Sequence, residues 1–209
     1  MGLVGVEMPS YGEKRLRLME LIREHAIIFK EVVLFSGKKS PYYYDIKKIE
    51  FIPEGIHLLS ELLLTEAAKY APKSVGGMEM GAVGLVSMMV LKGTMDGKYD
   101  KGLSGFFVRK KPKEYGLEHK IEGVMIPPVV IVDDVVTSGR SVWDSIEAVK
   151  QEGITQKGVI CVIDREEEGV PNLLEQRNIK YSSLFKHSDF KEFIEEKLRK
   201  NRHQPYSNN

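Results

Sequence analysis

Apolar side chains recur every three or four positions through residues 14–26, at Leu16, Met19, Ile22 and Ala26. That spacing marks one face of an amphipathic helix. Beyond it the period shortens, and residues 27–34 and 42–46 read as extended pieces parted by the turn Ser36-Gly37-Lys38. Pro53 suits a first helical turn, where its missing N–H costs nothing, and opens a helix to about Tyr70 that Ala71-Pro72 ends. From there strand and helix alternate. Strands are expected over 75–77, 103–108, 129–132, 158–163 and 181–185, and helices over 82–91, 141–152, 171–176 and 189–200. Residues 109–123 show neither period and read as a charged loop, and residues 201–209 as a frayed end. Val129-Val130-Ile131-Val132 is an unbroken apolar run, the mark of a strand covered on both faces. This alternation predicts an α/β fold in one domain over residues 1–209, a central and mainly parallel sheet flanked by helices. Ligands of such sheets bind at the carboxyl ends of the strands.

A chain of 209 residues suffices for one core, and 42% hydrophobic with 29% charged residues excludes a disordered or fibrous chain. The net charge of +1 gives no global basic field for nucleic acid or an anionic membrane, so neither partner is expected. No apolar run is long enough to span a bilayer, and no leader pattern is present; the expected location is cytoplasmic. Met1-Gly2 begins like a myristoylation signal, but Val6 stands where Ser or Thr is needed. Cys161 lies within an apolar run and reads as a buried thiol, with no disulfide framework. His25, His57, His119, His187 and His203 lack metal-ligand spacing and read mostly as surface residues.

The densest chemistry follows the run at 129–132: Asp133-Asp134-Val135-Val136-Thr137-Ser138-Gly139-Arg140-Ser141. Ser141 and Asp144 have the spacing of a capping box, so a helix is expected to begin where the loop ends. Its free N–H groups, with the hydroxyls of Thr137, Ser138 and Ser141, would converge on an anion, and Gly139 lets the backbone close around a phosphate. Two adjacent acids beside such a loop repel each other unless something lies between them. A sugar diol fits, because carboxylates only accept hydrogen bonds, and hydrated Mg²⁺ fits as well. Other phosphate motifs fail: Gly37-Lys38-Lys39-Ser40 lacks the earlier glycine of a nucleotide P-loop, and Gly77, Gly81 and Gly84 lack dinucleotide spacing. Arg109, Lys110, Lys111 and Lys113 concentrate positive charge in the 109–123 loop, either as a solvated face or as a lid that neutralises an anion.

The stretch VVIVDDVVTSGRS at 129–141 resembles the phosphoribosyl pyrophosphate (PRPP) signature of type I phosphoribosyltransferases. The segment FSGKKSPYYYD at 35–45, the loop VRKKPKEYG at 108–116 and Ile163-Asp164-Arg165 resemble the orotate branch in particular, in the expected order from about residue 14 to 185. The resemblance implies a hood over the base site, built from about residues 14–50 with the C-terminal region. It implies transfer of the phosphoribosyl group of PRPP to orotate, giving orotidine 5′-monophosphate and pyrophosphate in pyrimidine synthesis. It also implies Mg²⁺ held mainly by PRPP, with Asp133 and Asp134 near it, and a homodimer whose lid reaches into the neighbouring site. Carried over by position, residues 137–141 hold the 5′-phosphate and Asp133 and Asp134 the ribose diol, with Val135 and Val136 in the same segment. Arg109, Lys110 and Lys113 face the pyrophosphate as catalytic cations. Tyr43 and Tyr44 lie against the orotate ring, Thr137 touches it, and Arg165 pairs with its carboxylate.

Three positions depart from the pattern. Phe35 stands where a PRPP-binding lysine is common, Glu79-Met80-Gly81 replaces a stretch often carrying Tyr-Lys, and Tyr115 replaces the lid histidine, for which His119 is the nearest substitute. Two rivals stay open: a phosphoribosyltransferase for a purine base or uracil, and a regulator that only senses PRPP.

Overall fold

A computed structural model describes residues 9–33, 37, 39–97, 99, 102–111, 120–167 and 169–202. The first helix, α1 (Tyr11–Leu21), starts three residues before the apolar period because Ser10 caps it. Ser10 Oγ accepts the Glu13 N–H at 3.3 Å, and Glu13 Oε2 accepts the Ser10 N–H at 2.7 Å, a reciprocal capping box. The helix runs on as a π-helical turn, Ile22–Ala26. Four two-residue strands follow: β1 (Ile27–Ile28), β2 (Val32–Val33), β3 (Lys39–Ser40) and β4 (Tyr43–Tyr44). They pair antiparallel, β1 with β4 and β2 with β3. The second extended piece does not reach Ile46, because that residue has helical φ and ψ and leads into α2 (Lys47–Glu50).

The main unit comprises α3 (Pro53–Ala68), β5 (Ser74–Met78), α4 (Gly81–Met95), β6 (Ser104–Val108), β7 (Ile121–Gly123), β8 (Val129–Val136), α5 (Arg140–Gln151), β9 (Gln156–Asp164), α6 (Val170–Gln176) and β10 (Tyr181–Lys186). A 3-10 turn, His187–Phe190, precedes α7 (Lys191–Arg202). The sheet order is β10-β9-β8-β5-β6-β7, parallel throughout except for antiparallel β7. Side chains alternate across it. On β8, Val130 and Val132 join the core with α3 and α4, while Val129 and Ile131 join that of α5 and α6. The N- and C-terminal segments pack together through Phe29 on Phe193 (6.3 Å) and Tyr44 on Phe190 (5.8 Å).

Two further expectations are corrected. The 109–123 stretch is not all loop: residues 121–123 add β7 to the sheet edge, a pairing with β6 that periodicity over three residues cannot reveal. The apolar run at 129–132 is only half of its strand, because ladder pairing with β9 continues through Asp133 to Val136.

Candidate active site at the carboxyl edge of the sheet

After β5 the chain builds outward through β6 and β7, and from β8 it builds the other way, so the order reverses between β5 and β8. Crevices form at such a reversal. Here a cleft of about 390 Å³ opens between the end of β5, at Met78, and the loop after β8; Asp133, Val135 to Ser141 and Lys110 also wall it. Gly139 takes φ 72°, and α5 starts at the next residue. The expected Ser141–Asp144 box is therefore absent: Ser141 already lies inside the first turn, its carbonyl accepts from Ser145 Oγ at 2.7 Å, and Asp144 faces Arg140 at 3.7 Å. The helix keeps an N-terminus without a side-chain cap, facing the cleft.

The paired acids lie within hydrogen-bonding reach of each other, with a lysine beside them. Asp133 is buried, and its Oδ1 accepts the Asp134 N–H at 3.1 Å. Burial first, and the Asp134 charge second, push its carboxyl well above the usual range. Asp134 Oδ1 accepts the Val135 N–H at 2.8 Å, and its Oδ2 receives Lys47 Nζ at 3.1 Å. Lys47 also lies 3.8 Å from Asp45 Oδ1. Glu50, 3% exposed, completes the group; burial first and then Asp134 push it up to about 7. Glycines on α4 leave room for these carboxylates: a Cβ on Gly81 would lie 2.5 Å from Asp134 Oδ1, and one on Gly84 would lie 2.2 Å from Glu50 Oε2. Among the described residues no cluster of three metal-ligating side chains is found, and each oxygen of Asp134 already accepts one hydrogen bond.

The second half of the site is one strand away. Val136 pairs with Asp164, and Arg165 N–H donates to Val136 O at 2.9 Å, which sets Arg165 beside Thr137. Arg165 is buried; its guanidinium carbon lies 5.0 Å from the Tyr42 ring centre and 5.6 Å from that of Tyr44, and its Nε donates to Glu167 Oε1 at 2.8 Å. Tyr42 stacks on His187 at 5.6 Å, and the Tyr44 hydroxyl meets His187 Nδ1 at 2.9 Å. His187 is thus half-buried. Burial, then the neighbouring Arg165 cation, push its imidazole below the usual value. His25 and His57 are exposed as expected, and Cys161 is buried with its sulfur 3.0 Å from the Tyr181 hydroxyl.

The structure parts Tyr43 from Tyr44, since consecutive strand residues face opposite ways. Tyr44 is 1% exposed and turned toward Arg165 and the core, while Tyr43 is 39% exposed and close enough to Lys47 and Asp134 to feel their charge. Tyr42, Ser40, Lys47, Glu50, Glu167 and His187 were not singled out from sequence; only their nearness to the aromatic and Asp-Arg segments hinted at them. Arg109 bridges to Glu122 at 3.8 Å, and the Lys110 N–H donates to Glu79 Oε1 at 2.9 Å. Arg140 is exposed beside the loop, and Met80, which replaces the expected lysine, is 65% exposed. Phe35, Lys113, Tyr115, His119 and His203 lie outside the described residues. Among the described residues no helix is long and apolar enough to cross a membrane.

No protein-family model matches the chain. It is 36% identical over 187 residues to the orotate phosphoribosyltransferase of Bradyrhizobium diazoefficiens, covering 87% of this chain and 98% of that one. It is 34% identical over 181 residues to that of Aquifex aeolicus, covering 84% and 97%. Among solved structures it is similar to Mycobacterium tuberculosis orotate phosphoribosyltransferase in complex with 5-phospho-α-D-ribosyl 1-diphosphate, with a TM-score of 0.67, 26% identity, and 84% and 98% of the two chains covered.

Proposed function

The chain belongs to the orotate phosphoribosyltransferase family, and on that premise we propose how its residues move the phosphoribosyl group of PRPP onto orotate, releasing pyrophosphate and forming orotidine 5′-monophosphate. One observation carries the reading. The β8–β9 register sets the 137–141 loop beside an aromatic-flanked arginine, with the loop at the point where the strand order reverses and the arginine one strand away. A ligand spanning them needs a phosphate at one end and a flat anion at the other. Residues 137–141 hold the 5′-phosphate with backbone N–H groups and hydroxyls. Asp133 and Asp134 accept from the ribose diol, and Lys47 limits the repulsion between them. Arg165 receives the base carboxylate, with Thr137 beside it; Tyr43 closes the site from the Asp134 side, and Tyr44 backs Arg165.

In the reaction a ring nitrogen of orotate bonds to C1′ as the bond from C1′ to the pyrophosphate oxygen breaks. Positive charge builds on the sugar and negative charge on the leaving group. Stabilising that leaving group is the larger electrostatic task, and Arg109, Lys110 and Lys113 are the cations assigned to it. Mg²⁺ would be held mainly by PRPP, near Asp133 and Asp134, and would supply further positive charge for the leaving group. The catalytic unit is a homodimer: α4 and the β6–β7 edge form an apolar groove lined by Val83, Val86, Val90 and Leu91, with Leu91 63% exposed, that a second copy would cover.

The deciding experiment mixes the protein with PRPP and Mg²⁺, offers orotate, uracil and adenine separately, and follows the ultraviolet absorbance of each base. Consumption of orotate alone is expected, and none after chelation of Mg²⁺. Consumption of another base in its place overturns the substrate assignment. No consumption of any base points to a PRPP sensor.

A further inference from the structure

Arg165 has one side of its guanidinium already taken. Nε donates to Glu167 Oε1 at 2.8 Å, whereas among the described residues Nη2 has only long contacts, to the Tyr42 hydroxyl at 3.4 Å and Ser40 Oγ at 3.5 Å. The other oxygen of Glu167, Oε2, is buried and has no hydrogen-bond partner among the described residues. Burying an unpaired carboxylate oxygen is unfavourable, and the backbone is bent to do it. Glu166 has φ 58°, in the left-handed region that a residue with a Cβ seldom occupies. It is held there from two sides: its N–H donates to Asp164 Oδ1 at 2.8 Å, and its Oε2 accepts the Ser188 N–H at 2.7 Å. The turn carries the chain back, so that Glu167 lies against the side chain two residues before it. Strain, an unpaired oxygen and two restraining hydrogen bonds share one result, a guanidinium fixed in orientation.

We propose that Glu167 is a positioning residue for substrate selection, clamping the Nε edge of Arg165 so that its Nη side, next to Tyr42 and Ser40, meets the carboxylate of the base. The inference rests on the reading of Arg165 as the carboxylate receptor. Two consequences follow from the geometry. A fork held at one edge loses little rotamer freedom when a carboxylate docks on the other, and bidentate pairing demands that fixed plane. The charge of Arg165 is also balanced before the base arrives. An anion is then chosen by the shape of the fork, and phosphate groups of the other substrate gain little from straying to this end.

The test uses the full chain with the substitutions Glu167→Ala, Glu167→Gln and Arg165→Ala, steady-state kinetics with orotate and PRPP, and uracil binding as a probe without the carboxylate. Glu167→Ala is expected to raise KM for orotate about tenfold, the effect of losing one hydrogen bond to a charged group. It should change kcat, KM for PRPP and uracil affinity by less than about threefold, the pattern of lost ground-state binding at one end of the site. Glu167→Gln, whose amide oxygen still accepts from Nε, should recover most of the loss. A lower KM for orotate in both variants would mean that Glu167 competes with the substrate carboxylate, and would overturn the proposal. Equal losses for orotate, PRPP and uracil, with no rescue by Gln, would reduce Glu167 to a structural part and overturn it as well. Arg165→Ala tests the premise separately. An unchanged KM for orotate in that variant removes the carboxylate reading itself, whereas a raised KM there with Glu167→Ala unaffected removes only the role of Glu167.

Discussion

Glu50 is buried beside Asp134 with one carboxyl oxygen lacking a partner among the described residues, and its pKa is pushed up from the usual 4.5 to about 7. Below about pH 4.5 the group is protonated in both the folded and unfolded chain. Between that pH and about 7 the unfolded chain gives up its proton while the folded one keeps it, so stability falls as pH rises through this window. Glu50→Gln removes the titration. The variant is expected to exceed the wild type in stability by on the order of 2 kcal/mol at pH 8 and to converge with it near pH 4, read from urea unfolding midpoints. A gap that does not change with pH would rule out Glu50 as its source. Lys113 makes a kinetic prediction instead. Losing one donor to the departing pyrophosphate should lower single-turnover chemistry by about 10²-fold in Lys113→Ala, and near-normal single-turnover rates would remove Lys113 from catalysis.

The loop between β8 and α5 works because of how its two elements end. β8 keeps its ladder with β9 through the two acids, so Asp133 is directed inward by the strand and not by a loop. Gly139 then turns the chain in the left-handed region, and a Cβ at that position would lie 2.8 Å from Val170 Cγ1. Gly139→Ala therefore adds backbone strain of about 1 kcal/mol to a contact that α6 has little room to relieve. The expected outcome is a melting temperature lower by at least about 2–4 °C and a raised KM for PRPP. A variant with wild-type melting and PRPP affinity would show that the turn tolerates a side chain. The capping box expected at Ser141 failed for the same reason. Residue spacing shows which side chains can meet across one helical turn, but a left-handed glycine moves the start of the helix, and no local pattern reports that.

Chain reversal between β5 and β8 puts the cleft at the middle of the sheet, while the apolar face of α4 and the β6–β7 edge lies to one side. If a second copy covers that face, the 23.7 kDa chain should sediment as a species of twice its mass. Leu91, 63% exposed, is then buried at the contact, and Leu91→Asp should yield monomers with reduced turnover, because a charge would have to be desolvated there. A wild-type chain that sediments as a monomer at micromolar concentration would sink the dimer.

Strand-helix alternation, the buried runs at 129–132 and 158–163 and the order of the motifs were legible in the sequence, because burial on both faces and the turn chemistry of glycine and proline leave local traces. The phosphate loop was legible too, since its residues are consecutive. The base end was read only in part. Arg165 could be named from its motif, but Ser40, Tyr42, Glu167 and His187 come together across up to 147 positions through the β1–β4 pairing, a left-handed turn at Glu166 and the 3-10 turn after β10. Likewise Lys47 and Glu50 reach the acids of β8 because glycines on α4 let α2 approach. Those contacts depend on packing between elements distant in the chain, and periodicity carries no information about which distant surface a side chain will meet.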